Sequence, residues 1–456
     1  MEKENQQYIK MTETKISSLI SSLAVPTIVS MLITSIYNMA DTFFVSKLGA
    51  SASGAIGIVF SLMAIIQAVG FTLGQGSGSV ISRLLGEQKN DEADKIGSSG
   101  FVASVGFGGF LMVMGLIFLE PLMRLLGSTD TILPFACEYA QYIFLAAPVM
   151  AASFVLNNLL RAEGKVKLAM IGITVGGVLN ILLDPIFIFA LGFGVSGAAI
   201  ATALSQCISF LILLSHFLRN RTIINLKLSN ASTELIIYLR IIKNGLPSFC
   251  RQGLASISTV ALNLNAALYG DAAVAAMSIV GKIFMMIFSM LLGFGQGYQP
   301  VVGYNYGAKK FDRVREAFFF TLKVGVSIMT SLGILGFLLA RNIMGWFIAD
   351  DEEVIAIGVR AFRAQCLVMP LMALGVVCNM TFQSIGKAWR ATFLSCTRQG
   401  IFFLPFILIL PRFLGITGVE ITQPVADLCN FFCCLPFAVL FLKALPTEAD
   451  VKNDAD

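Results

Sequence analysis

Twelve apolar stretches, each long enough to cross a bilayer, leave this chain few folds to choose from. They lie near residues 17–46, 54–82, 96–120, 136–160, 168–190, 197–218, 244–268, 274–303, 318–340, 354–383, 391–411 and 417–442. About 20 apolar residues suffice for a transmembrane helix. With no water in the hydrocarbon to satisfy peptide groups, runs of that length are helical. Of the 456 residues 56% are apolar and 13% charged, with a mean hydropathy of +0.81, whereas a soluble domain is about a quarter charged. The expected fold class is therefore an all-α integral membrane protein. Several segments exceed what a bilayer needs, so tilt or protrusion is expected, with kinks or ends at prolines such as Pro26, Pro148, Pro185 and Pro247. The N-terminal MEKENQQYIKMTETK is polar and mixed in charge, unlike a cleavable signal, so segment one is expected to stay as an anchor.

The basic residues orient these segments. With both termini inside, twenty-two of the 32 Lys and Arg fall on the inner side and four in outer loops, namely Lys47, Arg124, Arg341 and Arg412. The positive-inside bias predicts a multi-pass protein of a cytoplasmic (inner) cell membrane with both ends in the cytoplasm. The net charge of +5 is small and scattered, which argues against a nucleic-acid partner. Nine cysteines lie mostly in apolar runs with no CxxC pair, and His216 is the only histidine. Neither a disulfide framework, a zinc site nor His-based nucleophilic catalysis is indicated.

An internal repeat appears at a shift of 221 residues. Pro26 falls on Pro247, Gly49 on Gly270, and LGQGSGSVISRLLGEQK from Leu73 on FGQGYQPVVGYNYGAKK from Phe294. With one residue added, Pro148, Asn157, Gly164 and Lys165 fall on Pro370, Asn379, Gly386 and Lys387; at 221 again, Gly194 and Gly197 fall on Gly415 and Gly418. The chain divides into an N-lobe (1–218), a cytoplasmic linker (219–243) and a C-lobe (244–456). Six is even, so both halves enter from the same side, and a pseudo-twofold axis along the membrane normal should relate them.

The Gly-rich GQGSG and GFGQG lack the GK[ST] of a phosphate-binding loop, and close helix packing is the better reading. Without a nucleotide motif, work must come from an ion gradient unless a separate ATPase assists, so no cofactor beyond a coupling ion is expected. The intramembrane acids are more telling, because each costs about 3 kcal/mol at a helix centre. Asn180 and Asp184 share a face of segment five at i and i+4, and Tyr37, Asn38 and Asp41 cluster on segment one. Thr202 adds a hydroxyl from segment six. Such oxygen donors suit Na+ or a shared proton and suit a transition metal poorly. The repeat breaks here: Asp41 falls on Leu262, and the Asp184 region falls near Phe403 and Leu404. The second half instead carries Arg251, Lys282, Arg398, Glu420 and Asp427, either ion-paired within the bundle or lining a substrate-facing surface. Asp130, Asp350, Asp351, Glu352 and Glu353 are expected in solvated outer loops.

With these motifs in place the chain resembles the multidrug and toxic compound extrusion (MATE) family, in the bacterial branch of DinF-like and MepA-like transporters. The resemblance spans essentially the whole chain and rests on YNMADTFFVSKLG at 37–49, the paired GQG segments, RAEGKVK at 161–167, and LNILLDPIFIF with GVSGAAIAT after it. It implies two lobes around a V-shaped cavity that alternates between faces. It also implies an N-lobe site for Na+ or H+ at Asp41, Asn180, Asp184 and Thr202, with Tyr37, Tyr139 and Asn157 nearby and Pro26 at a bending point. A C-lobe cation site built on acids of segments seven and ten, as in another branch, has no candidate in 244–268 or 354–383.

The expected activity is cation-coupled antiport, exporting amphipathic organic compounds by alternating access from a monomer in the bilayer. Organic cations, drugs and dyes among them, are the first expectation, while Arg251, Lys282 and Arg398 equally suit an anionic or zwitterionic metabolite. A lipid-linked precursor flippase of the wider superfamily is the other transporter reading. A membrane enzyme would need clustered catalytic groups and substrate loops, which the short loops do not offer. A channel fits the duplication less well.

Overall fold

The computed structural model describes residues 2–347 and 351–446. Asp350 and the last ten residues of the C-lobe range lie outside the described residues.

All twelve segments are helices. In chain order they are α2 (Ile16–Ser46), α3 (Ala50–Gly86), α4 (Asn90–Ile117), α6 (Leu133–Ala162), α7 (Val166–Pro185) with a π-turn at Ile186–Ala190, and α8 (Gly194–Leu218). The second six are α9 (Leu235–Ala267), α10 (Asp271–Gly307), α11 (Phe311–Phe347), α12 (Glu352–Ser384), α13 (Ala388–Cys396) continuing through a π-helical stretch into α14 (Leu404–Leu414), and α15 (Ile416–Ala444). A short α5 (Leu119–Leu125) and an N-terminal α1 (Glu2–Glu13) complete the set. Eleven of the twelve are apolar enough to cross a membrane by length and composition alone. The exception is α9, whose Arg251, Gln252, Ser258, Thr259 and Asn263 line a cavity rather than lipid.

Two boundaries differ from expectation. Helix α9 begins at Leu235, so the linker is residues 219–234 and not 219–243; Arg240 and Lys243 extend the helix below the apolar run that marks it in the sequence. The polar N-terminus forms α1, and its backbone carbonyls, with that of Thr14 just past it, meet one amide and two cationic side chains of the second half. Asn305 Nδ2 donates to Met11 O at 3.0 Å, Lys310 Nζ to Thr12 O at 3.2 Å and Arg313 Nη2 to Thr14 O at 2.6 Å. On the other side, Gln7 Nε2 donates to Glu163 O at 2.8 Å. The linker is docked too: the buried Glu163 carboxylate accepts the backbone N–H groups of Ile223 (2.8 Å) and Ile224 (3.0 Å).

Repeat-related contacts obey a twofold exchange. A Cβ on Gly86 would run into the Tyr304 carbonyl, and one on Gly307 into the Arg83 carbonyl, where 304 and 83 differ by the 221-residue shift. Likewise Gly245 abuts the Thr72 carbonyl, and Gly293 abuts the Ile28 backbone. The GQG segments are therefore where α2 and α3 cross α10 and α9 at backbone distance, an approach only glycine permits. Apolar packing follows the same plan. One core cluster draws on both halves, including Leu19, Leu23, Tyr298 and Phe382, whereas two others stay within one half each, around Tyr139 and Phe144 or around Phe362 and Met369. The halves are joined at the end bearing α1 and the linker and are packed separately at the other. The outermost hydrogen bond between them, among the described residues, is Ser35 Oγ to Ser289 Oγ at 3.3 Å.

Candidate functional site

Four helices of the N-lobe bring the candidate ion-binding residues together. Asp41 comes from α2, Tyr139 and Asn157 from α6, Asn180 and Asp184 from α7, and Thr202 from α8. Asp184 closes the regular part of α7: the proline behind it donates no N–H, and the helix widens into the π-turn at Ile186–Ala190. The i, i+4 spacing aligns Asn180 with Asp184, and Asn180 Nδ2 donates to Asp184 Oδ1 and to Thr202 Oγ1, both at 3.2 Å. Asp41 is 4% exposed and Asp184 fully buried.

What these groups lack is as informative as what they have. Asp41 Oδ1, Asn180 Oδ1, Asp184 Oδ2, Tyr139 Oη and Ser205 Oγ are all buried without a hydrogen-bond partner. Unsatisfied buried oxygens are costly, and no basic side chain pairs with either aspartate among the described residues. The two carboxylate oxygens and the Asn180 amide oxygen are acceptors only, the two hydroxyls can also donate, and such an oxygen set with no cationic partner fits a proton or a hard cation. A small pocket of about 60 Å3 lies beside them, lined by Tyr37, Asn157, Asn180, Thr202, Ser205 and Gln206 among others. It has room for a few waters or a cation keeping part of its hydration. Asn38 is half-buried and outside this pocket. Asn157 donates to the Ala169 carbonyl at 3.0 Å, which joins α6 to α7. Pro26 is buried inside an unbroken α2, where Ser30 Oγ donates to its carbonyl at 2.9 Å.

In the C-lobe the charged residues divide between ion pairs within the bundle and the lining of a cavity. Arg398 Nε holds Asp427 Oδ1 at 2.6 Å, with Gln365 and Gln423 also on that carboxylate. Glu420 is held not by Arg251, Lys282 or Arg398 but by Arg360 at 2.7 Å, a residue the sequence reading passed over because it lies near the outer end of its helix. Arg251 spans the lobes to amide oxygens, Asn379 Oδ1 at 3.3 Å and Gln75 Oε1 at 3.2 Å. Lys282 has no ion pair among the described residues and lines a cavity of about 560 Å3. Gln75 is a second omission; its place in a Gly-rich motif hid a polar bridge to Arg251 and Ser248.

Comparison with known proteins agrees with this architecture. The MatE family profile matches residues 26–186 and 247–409, two blocks whose starts are separated by the same 221 residues. The multidrug export protein MepA of Staphylococcus saprophyticus is 27% identical over 405 residues, 89% of each chain, and that of Staphylococcus haemolyticus is 26% identical over 432 residues, 94% of each. Among solved structures, a multidrug resistance MATE family transporter of the MOP superfamily in its outward-facing conformation superposes with a TM-score of 0.91 at 27% identity. A MOP superfamily transporter from Pyrococcus furiosus Vc1 (DSM3638) gives 0.90 at 27% identity. Both cover 96% of this chain and 98% of theirs. With a family profile spread over both halves and the whole twelve-helix fold in common, the chain belongs to the MATE family and is a membrane transporter, not an enzyme.

Proposed function

We propose that the chain is a cation-coupled antiporter that exports amphipathic organic compounds, with Asp41, Asn180, Asp184 and Thr202 holding Na+ or H+. The observation that carries this reading is the cluster of buried, unsatisfied oxygens on four helices, two of them from aspartates that no basic side chain neutralises among the described residues. Coupling follows from differential affinity. An ion that binds better in one arrangement of α2 against α6–α8 shifts the equilibrium toward that arrangement, and the cargo is released on the same swing.

The positive-inside bias of the basic residues supports cytoplasmic termini, and on that reading the end at which the halves share one core is the cytoplasmic end. The conformation described is then outward-facing, as in the similar transporter solved in that state. The unit is taken as a monomer whose partners are the bilayer and a small organic molecule. Cationic drugs and dyes are the cargo suggested by the family pattern, while the lining of the C-lobe cavity favours anions.

The test is flux in proteoliposomes with Na+ and H+ gradients imposed separately. Uphill transport under one gradient, lost in Asp41→Asn and in Asp184→Asn, is the expected result. Unchanged gradient-driven flux in both variants would remove the coupling role.

A further inference from the structure

The C-lobe cavity lies between α9, α10, α12, the α13–α14 span and α15, and its volume of about 560 Å3 is that of a site for a drug-sized molecule. Its acids are already neutralised: Glu420 by Arg360, and Asp427 by Arg398 with two glutamine amides. Its bases are not. Lys282 reaches the cavity with no carboxylate within ion-pair distance among the described residues, and Arg251 meets only amide oxygens. Arg251 Nε and Arg398 Nη2 are buried with no acceptor. Guanidinium and ammonium groups donate and cannot accept, so the ligand that completes this lining brings acceptor oxygens and negative charge. A cation would instead meet two unneutralised positive charges, the exposed Lys282 and the half-buried Arg251.

The same cavity offers a place for an apolar body. Phe284 and Phe288 stack at 5.9 Å with an interplanar angle of 14°, and the Arg398 guanidinium sits 4.4 Å from the Phe288 ring centre. Met277 and Met285 flank them, and such side chains adapt to flat ligands of varied outline. The basic lining is not a product of the duplication, since Gly176 stands in the N-lobe where Arg398 stands in the C-lobe.

We infer that this cavity binds an amphipathic organic anion, with an aromatic body against Phe284, Phe288 and Met285 and a carboxylate, sulfonate or phosphate on Lys282, Arg251 and Arg398. The anion's role as cargo rests on the antiport reading above; its binding does not.

The full chain in lipid nanodiscs is tested by equilibrium binding of 1-naphthalenesulfonate and 1-naphthyltrimethylammonium, which share a ring and differ in sign. The sulfonate is expected to bind at least tenfold more tightly. Lys282→Gln weakens it about tenfold without weakening the ammonium probe, Lys282→Arg restores it, and Lys282→Glu reverses the order. Equal affinity for the two probes, an ammonium preference in the unaltered protein, or a Lys282→Gln variant that still binds the sulfonate normally overturns the inference. Flux is measured separately: Lys282-dependent sulfonate binding with no movement under either gradient would sink the antiport reading and uphold the site.

Discussion

The small N-lobe pocket and the large C-lobe cavity occupy the same place in the two repeats, yet they present opposite chemistry. Tyr37, Asn157, Gly176 and Thr202 line one, and their repeat mates Ser258, Asn379, Arg398 and Gln423 line the other. The scaffold beneath is common to both. Asn157 donates to the Ala169 carbonyl at 3.0 Å, and Asn379 to the Ala391 carbonyl at 2.7 Å; Gly164 and Gly386 turn their loops at φ of 78° and 79°. Backbone geometry has been kept while the lining has diverged, one side into unsatisfied acceptors and the other into unsatisfied donors. Duplication supplied two equivalent cradles, and on the proposed function side-chain changes fitted one to an ion and the other to a larger ligand.

The strongest way to break this division is to neutralise the acceptors. Asp41→Asn and Asp184→Asn should each lower gradient-driven accumulation at least tenfold, while thermal melting in detergent stays level or rises, because a buried carboxylate with no basic partner is being removed. Melting that collapses together with flux would make the aspartates structural and end the contrast between lobes. Next in size is the shared crossing. Gly245→Val places a side chain against the Thr72 carbonyl and should cost about 3 kcal/mol, read as a lowered melting temperature and as longer spin-label distances between α3 and α9.

The repeat-related asparagines sharpen the comparison further. Asn157→Ala removes one hydrogen bond, a loss of about 1 kcal/mol. Asn379→Ala also strips Ser395 and Arg251 of a partner and should cost about 3 kcal/mol; equal melting shifts would mean the two sites are less divergent than their linings suggest. The smallest effect concerns Glu163, whose repeat mate is the uncharged Ile385. Burial raises its pKa from 4.5 to about 6, against the opposing pull of Lys165 and of the Ile223 and Ile224 amides. The folded site thus favours the protonated form. Its stabilising contribution is complete below about pH 4.5 and is lost as pH rises through 6, amounting to about 2 kcal/mol. Amide exchange at Ile223 and Ile224, corrected for intrinsic rates, should quicken across that window and lose the dependence in Glu163→Gln.

Much of this architecture is legible in the sequence because a bilayer enforces simple rules. Helix length follows hydrocarbon thickness, and the duplication shows in glycines whose spacing reflects backbone contact. Asp41, Asn180 and Asp184 stand out because each is expensive where it sits. Arg360 and Gln75 do not, since a residue near a helix end or inside a glycine motif carries little insertion cost and its partner is far along the chain. Helix α9 is blurred for a related reason: a helix facing a polar cavity loses part of the apolar signature that identifies a span. The linker and α1 escape notice because their order comes from tertiary hydrogen bonds to carbonyls and amides, which no periodicity records.

Helix α1 deserves a mechanical reading. It holds the N-lobe through Gln7 and Glu4 and the C-lobe through the carbonyls of Met11 and Thr12 and, just beyond its end, that of Thr14, so it works as a buckle across the closed end of the bundle. An inward swing has to undo one side of the buckle, and the second half grips it with two cations, Lys310 and Arg313, besides Asn305, whereas the first half grips it through the neutral amides of Gln7 and Asn90. The N-lobe side is therefore the weaker seam, and α1 should travel with the C-lobe when the transporter turns inward.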